Sequence, residues 1–145
     1  MARFSSGILT TAGSTTLPIF SVYAIANIRG VLREIGVFNT TATAVALALQ
    51  RLTSTGTKPA AETEAKWNDD SPAGNMTFHG THTANPTLGE DLGFRVVLGA
   101  AIGSGVIWTF GDEGIIIPPG TANGVGVIVE NGTGQPCQGY AIWGE

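Results

Sequence analysis

The last third of the chain, residues 93–145, constrains the fold most. It reads GFRVVLGAAIGSGVIWTFGDEGIIIPPGTANGVGVIVENGTGQPCQGYAIWGE, short β-rich runs between glycines. Val125, Val127 and Val129 recur at every second position, so they share one face of a strand; Gly124, Gly126 and Ile128 take the other. Ile115–Ile117 is a β-branched run stopped by Pro118-Pro119-Gly120, which cannot continue a sheet ladder. Asn123-Gly124 is a tight-turn pair, because both residues tolerate positive φ. Tyr140-Ala141-Ile142-Trp143 forms a terminal strand with aromatic weight. Nothing here has the spacing of a helix of ordinary length, and the segment reads as the core of a multi-stranded antiparallel β-domain.

The rest of the chain extends the pattern. Leu17–Ile28 is a strand region whose Pro18 restricts its start to an edge or first position, and Asn27–Gly30 supplies a turn. Val31–Phe38 follows, then Asn39-Thr40-Thr41 as a turn capped by side chains. Ala42–Leu52 sets Val45, Leu47 and Leu49 against Ala44, Ala46 and Ala48. Ala and Leu favour helix, but the strict period of two predicts a strand, in a hairpin with Val31–Phe38. Its flat alanine face suits close packing against a second sheet. Met76–Ala84, Gly93–Leu98, Ser104–Phe110, Gly114–Ile117, Gly124–Glu130 and Gln138–Trp143 complete an all-β fold, an antiparallel β-sandwich or jelly roll of about 8–9 short strands.

Two segments stand outside the strand pattern. Residues 1–16, rich in Ser, Thr, Gly and Ala, read as an extended N-terminal arm, either ordered against a neighbouring subunit or frayed. Residues 17–145 then form a single domain. Within it, Thr53–Asn75 is a long loop with the densest charge of the chain, Lys58, Glu62, Glu64, Lys66, Asp69 and Asp70 around Trp67. Trp67 is either an interface anchor or a staple folded back onto the loop, and Glu62–Trp67 could form one helical turn.

Composition narrows the classes of function. At 145 residues the chain fits one domain with a sizeable core. Charged residues are 12%, against about 25% in ordinary soluble domains, which fits a surface partly covered by other subunits. A net charge of −4, with Arg29, Arg33, Arg51 and Arg95 dispersed, argues against a nucleic-acid partner. The longest apolar run, Val96–Trp108, is too short for a membrane helix, so no membrane partner is expected. The single Cys137 excludes an internal disulfide framework. Met1–Ser6 lacks signal-peptide architecture, which leaves the sequons at Asn39, Asn75 and Asn131 without a role.

Candidate chemical sites are sparse. His79 and His82 with Glu90 bring a cupin metal site to mind, but the i, i+3 spacing puts two strand residues on opposite faces, and Thr-rich surroundings predict surface histidines. The glycine-rich Gly99–Gly105 lacks the Lys-Ser/Thr of a phosphate loop. Glu34, Glu90-Asp91 and Asp112-Glu113 could be paired carboxylates, yet adjacent acids in turns more often cap amides. Gly103-Ser104-Gly105 is not a nucleophile elbow. Trp108, Trp143, Tyr140 and Phe110 could form a sugar-binding platform, though core packing is the commoner role. The expectation is a protein without catalytic residues, cofactor or metal.

Four stretches together resemble a known class: Arg33–Thr41 (REIGVFNTT), Leu98–Gly111 (LGAAIGSGVIWTFG), Gly120–Gly124 and Gly132–Gln135. They resemble the small jelly-roll capsid decoration, or cement, proteins of tailed bacteriophages. The resemblance implies a homotrimer at local three-fold positions of the phage head, made in the host cytoplasm and bound to the major capsid protein. It carries over no functional residue. The expected capsid contacts come from the arm and the charged loop: Ser5, Ser6, Thr10, Thr11 and Thr16, with Lys58, Glu62, Glu64, Lys66, Trp67, Asp69 and Asp70. Deleting either segment is then expected to abolish binding and spare the fold. The alternative is a carbohydrate- or receptor-binding β-sandwich module of a phage tail or spike, recognising glycans through Trp67, Trp108 or Trp143.

Overall fold

A computed structural model describes residues 1–145: two antiparallel sheets of six strands each, and no helix. Sheet A holds β1 (Arg3–Leu9), β3 (Gly30–Asn39), β6 (Ala65–Lys66), β9 (Gly105–Thr109), β10 (Ile115–Ile117) and β12 (Cys137–Gly144). Its order is β10-β3-β12-β1-β6, with β9 beside β10 on the same edge of β3. Sheet B holds β2 (Phe20–Tyr23), β4 (Val45–Leu52), β5 (Ala61–Glu62), β7 (Thr77–His79), β8 (Leu88–Leu98) and β11 (Gly124–Asn131), in the order β5-β7-β2-β11-β4-β8.

Period-two patterning builds the core. Val125, Val127 and Val129 of β11 lie beside Leu47 and Leu49 of β4, in a register pairing Val127 with Leu49 and Val129 with Leu47. They face Leu32, Ile35 and Val37 of β3 and Ala141 and Trp143 of β12 across the sandwich. Each such side chain taken fully out of water contributes about 1.5–3 kcal/mol. Phe20 and Phe78 stack at 5.4 Å, and Phe4 lies against Trp143 at 6.3 Å.

Several expectations need correction. Residues 1–16 are not an arm. Arg3–Leu9 is an inner strand of sheet A, paired along its whole length with β12, and its Phe4 is 1% exposed. Phe4, Ser6 and Ile8 alternate inward with Arg3, Ser5, Gly7 and Leu9 outward, a period hidden by the Ser and Gly in it. Residues 10–19 then cross to sheet B, held by Thr10 N–H to Cys137 O and Val129 N–H to Ser14 O. The β3–β4 hairpin does not exist either: β3 is in sheet A and β4 in sheet B, between β11 and β8. The alanine face of β4 is its outer face, because the larger Val45, Leu47 and Leu49 fill the core. The stretch 62–67 is not helical but forms the ends of two short strands, and the strand near residue 76 is only Thr77–His79. Glu90 and Asp91 lie within β8 and not in a turn, although Asp91 does cap the amide of Gly93 at 2.8 Å.

Candidate docking face

The two outer faces of the sandwich differ. On sheet B the outer side of four strands is covered: Ser21, Tyr23, Ala46, Ala48, Leu52, His79 and Ile128 all point outward yet are buried, and only the edge strand β8 stays open, with Val97 69% exposed. On sheet A the outer face stays open. The strand register arranges it in three rows. Gly105, Phe38, Gln138 and Leu9 form the first, and Ile107, Gly36, Tyr140 and Gly7 the second. The third is Thr109, Glu34, Ile142, Ser5 and Ala65. Leu9 is 57% and Ile107 51% exposed, while Phe38, Tyr140 and Ile142 are half-buried.

Glycines flatten this face. A Cβ on Gly36 would stand 2.0 Å from Cε1 of Tyr140, and one on Gly105 2.0 Å from Cδ1 of Phe38. Both rings therefore lie down over neighbouring backbone instead of standing off the sheet. The Tyr140 hydroxyl donates to Glu34 Oε1 at 2.6 Å, which fixes the ring in that pose. Burial, reinforced by the Glu34 carboxylate, pushes the Tyr140 hydroxyl up to about 12.

Trp67 stands at the β1 end of the face and is 55% exposed. Its backbone N–H reaches Arg3 O at 3.0 Å, its indole Nε1–H donates to Ser5 Oγ at 3.1 Å, and the Arg3 guanidinium lies 5.9 Å over its ring. The indole is thus held from below and from one side by the chain itself. Between Trp67 and Tyr140 runs an open hollow of about 380 Å³, floored by Gly7 and Ile142 and lined by the hydroxyl-bearing Ser5, Ser6 and Thr63.

Of the residues expected to touch a partner, the fold brings Ser5 and Trp67 together. Ser6 is buried and donates to Thr63 O, and Thr10 is buried and bonded to Thr11 O and the Cys137 amide. Thr11 and Thr16 are exposed in the crossing segment, away from Trp67. Lys66, Asp69 and Asp70 are exposed in the turn around Trp67, where Lys66 Nζ holds Asp69 O and Ser71 O. Glu64 accepts from the Gly74 amide, Glu62 sits in β5, and Lys58 belongs to sheet B's outer side.

The aromatic platform suggested by Trp108, Trp143, Tyr140 and Phe110 does not form. Trp108 is 8% and Trp143 0% exposed, on the inner face of sheet A, and Phe110 packs edge-on against Phe94. Trp67 is the one exposed tryptophan. Tyr140 alone of the four platform residues is on the outer face, and Phe38 and Ile107 escaped attention there because strand period alone does not say which face meets the second sheet.

The two histidines are not on the surface and not on opposite faces. His79 and His82 are both buried on the outer side of sheet B, since β7 ends at His79 and the chain turns before His82. His82 Nε2 lies 2.8 Å from Ser21 Oγ. His79 Nδ1 lies 2.8 Å from Pro59 O, and its Nε2 lies 2.8 Å from Lys58 Nζ and 2.9 Å from Thr77 Oγ1. The Tyr23 ring packs against both imidazoles and under the Lys58 ammonium. The segment from Ser54 to Pro59 closes over this cluster, with Tyr23 donating to Ser54 O.

Fold and face together define a β-sandwich with one open sheet and one covered except along its edge strand β8. No protein-family model matches the chain, and neither a curated protein nor a solved structure matches it.

Proposed function

We propose that this protein is a structural, non-catalytic component of a phage head, a decoration protein that docks on the major capsid protein through the outer face of sheet A. The observation that carries the reading is the open face itself, flat and rich in aliphatic and aromatic side chains, on a molecule whose opposite face is covered except along its edge strand β8. A flat surface with a held Trp suits a protein partner: interface cores match in shape and are enriched in aromatic residues. Stabilisation follows by mass action, since a protein that binds only the assembled shell favours assembly.

Strand order supports the jelly-roll form of this proposal. Setting aside the short β5, β6, β7 and β10, sheet A runs β1-β12-β3-β9 and sheet B runs β2-β11-β4-β8. The chain alternates between sheets for β1 to β4 and again for β11 and β12. First and last strands lie side by side, as in two nested Greek keys. The test is cosedimentation with empty, expanded heads of the phage. Wild-type protein is expected in the pellet at saturable stoichiometry, and Trp67→Ala is expected to weaken binding by more than tenfold. A wild-type protein that stays in the supernatant sinks the proposal.

One observation favours a second reading. The hollow between Trp67 and Tyr140 is lined by no charged side chain, only aromatic, hydroxyl and small residues and Ile142. That chemistry suits a neutral pyranose, stacked on an indole and hydrogen-bonded at its rim. Binding to a neutral glycan array that Trp67→Ala abolishes, without binding to heads, would select a receptor-binding module instead.

A further inference from the structure

The segment that carries Trp67 is tied to both sheets. It leaves the sheet B cluster at Lys58, pairs as β5 with His79 and Phe78, crosses the open side of the sandwich, and pairs as β6 with Phe4 and Ser5. Its sheet A end is Trp67 on Ser5; its sheet B end is Lys58 and Pro59 on His79.

Hydrogen-bond roles fix the protonation of that second anchor. Pro59 O can only accept, so His79 Nδ1 carries the proton and donates to it. His79 Nε2 is then a bare lone pair, and the Lys58 ammonium donates to it. The Lys58 contact requires a neutral imidazole: a proton on Nε2 would turn to the Thr77 hydroxyl at 2.9 Å and leave an imidazolium 2.8 Å from NH₃⁺. His82, buried beside it against Ser21, adds a second imidazole with no acid in contact; the Thr55 backbone is the one group that favours its protonated form, and it stands too far off for a well-formed hydrogen bond to Nδ1. The charged and titratable groups facing this pair are Lys58 on the strap, Tyr23 on β2 and Glu62 on β5, besides the two histidines themselves. Of these only Glu62 favours the protonated form, and it acts on His79.

We propose that His79, His82 and Lys58 form an acid-released latch: protonating the imidazoles expels Lys58 and frees the strap of residues 58–67, so that Trp67 leaves its seat on Ser5 and the docking face is dismantled. The inference rests on the reading of Trp67 as part of that face. Burial first, then the repulsion that a second proton on His79 would add and the Lys58 charge, against a hydrogen bond to the Thr55 backbone, hold His82 down to about 4. His79 is also lowered, by burial and by Lys58, against the opposing pull of the Pro59 and Ala60 carbonyls and Glu62. With an ordinary value near 6.5 in the open state, His82 alone favours opening by roughly fiftyfold or more at pH 4.5 relative to pH 7.

The latch is tested on the isolated full-length chain labelled with 5-fluorotryptophan, whose Trp67 ¹⁹F signal is assigned by Trp67→Phe. Titrating from pH 7.5 to 4, the Trp67 signal is expected to move toward that of free fluorotryptophan while the buried Trp108 and Trp143 signals hold. Lys58→Met removes the opposing ammonium, raises the His79 pKa and is expected to reduce the acid response; His79→Gln/His82→Gln is expected to abolish it. The idea is overturned if Trp67 moves only together with Trp108 and Trp143, or if the double variant responds as wild type does. Head binding at pH 7.5 is measured separately, so failure of the docking reading and failure of the latch are distinct results.

Discussion

At the scale of single residues, Gly36 shows how a missing side chain shapes a surface. Its φ is not positive, so its role is clearance and not backbone freedom: the Tyr140 ring occupies the space a Cβ would need. Gly36→Ala is expected to lift the ring and break its bond to Glu34, leaving the core intact. An ultraviolet pH titration reads this out, since Tyr140 should drop from about 12 toward the ordinary tyrosine value near 10 while the buried Tyr23 stays high. His82 gives the second prediction at this scale. Its folded pKa lies below its unfolded one, so the unfolded state binds the extra proton; the contribution to stability is complete above about pH 6.5 and is lost as pH falls toward about 4. The loss is worth about 3 kcal/mol, and chemical denaturation at pH 7 and pH 4 should show it in wild type and not in His82→Gln beyond that variant's constant cost.

At the scale of elements, β1 and β8 carry the lessons. Because β1 lies between β12 and β6, removing residues 1–9 is expected to unfold the protein, not merely to abolish partner binding; Phe4→Ala alone should cost about 3–5 kcal/mol of stability, measured by urea denaturation. The free edge of β8 is long, yet it is bent where three of its residues, Leu92, Gly93 and Phe94, face the single Leu49 of β4. Gly93 takes φ +80° there, and Arg95 pairs with Asp91 and Glu130. Bulges and charge of this kind discourage edge-to-edge association.

These elements also mark what the sequence could disclose. Strands with β-branched periodicity, such as β11 and β3, and side-chain-capped turns, such as Asn39 accepting from the Thr41 amide, were legible because their signals are local. The two-sheet class followed from them. The β3–β4 connection was not legible, because a hairpin and a crossover between sheets use the same alternation; only the partner strands decide, and they lie about 80 residues away in β11. The interior role of β1 was masked by Ser and Gly in place of large side chains. Trp67 drew notice in the sequence as a lone aromatic among charges, but its exposure is shown only by the fold, and Phe38, Tyr140 and Ile107 join it only through the register of three non-consecutive strands. The histidine cluster was misjudged because alternation was carried past the end of β7.

At the scale of the whole molecule, the asymmetry between the sheets is the organising fact. The strap that seals one face ends by seating Trp67 on the other, so the closed side and the open side are built by one segment. Light scattering over a range of concentrations is expected to give a trimer, in keeping with three-fold seats on a shell; a monomer at every concentration would mean that any trimer forms only on the shell. The most direct test of the central claim is cosedimentation of wild type and Ile107→Glu with empty phage heads. Ile107 is half exposed in the middle row of the face and makes no core contact, so the substitution should cost no more than about 1 kcal/mol of stability and spare the fold. Wild type is expected to bind and Ile107→Glu, still folded, to bind at least tenfold more weakly. Equal binding by both proteins would contradict docking through sheet A.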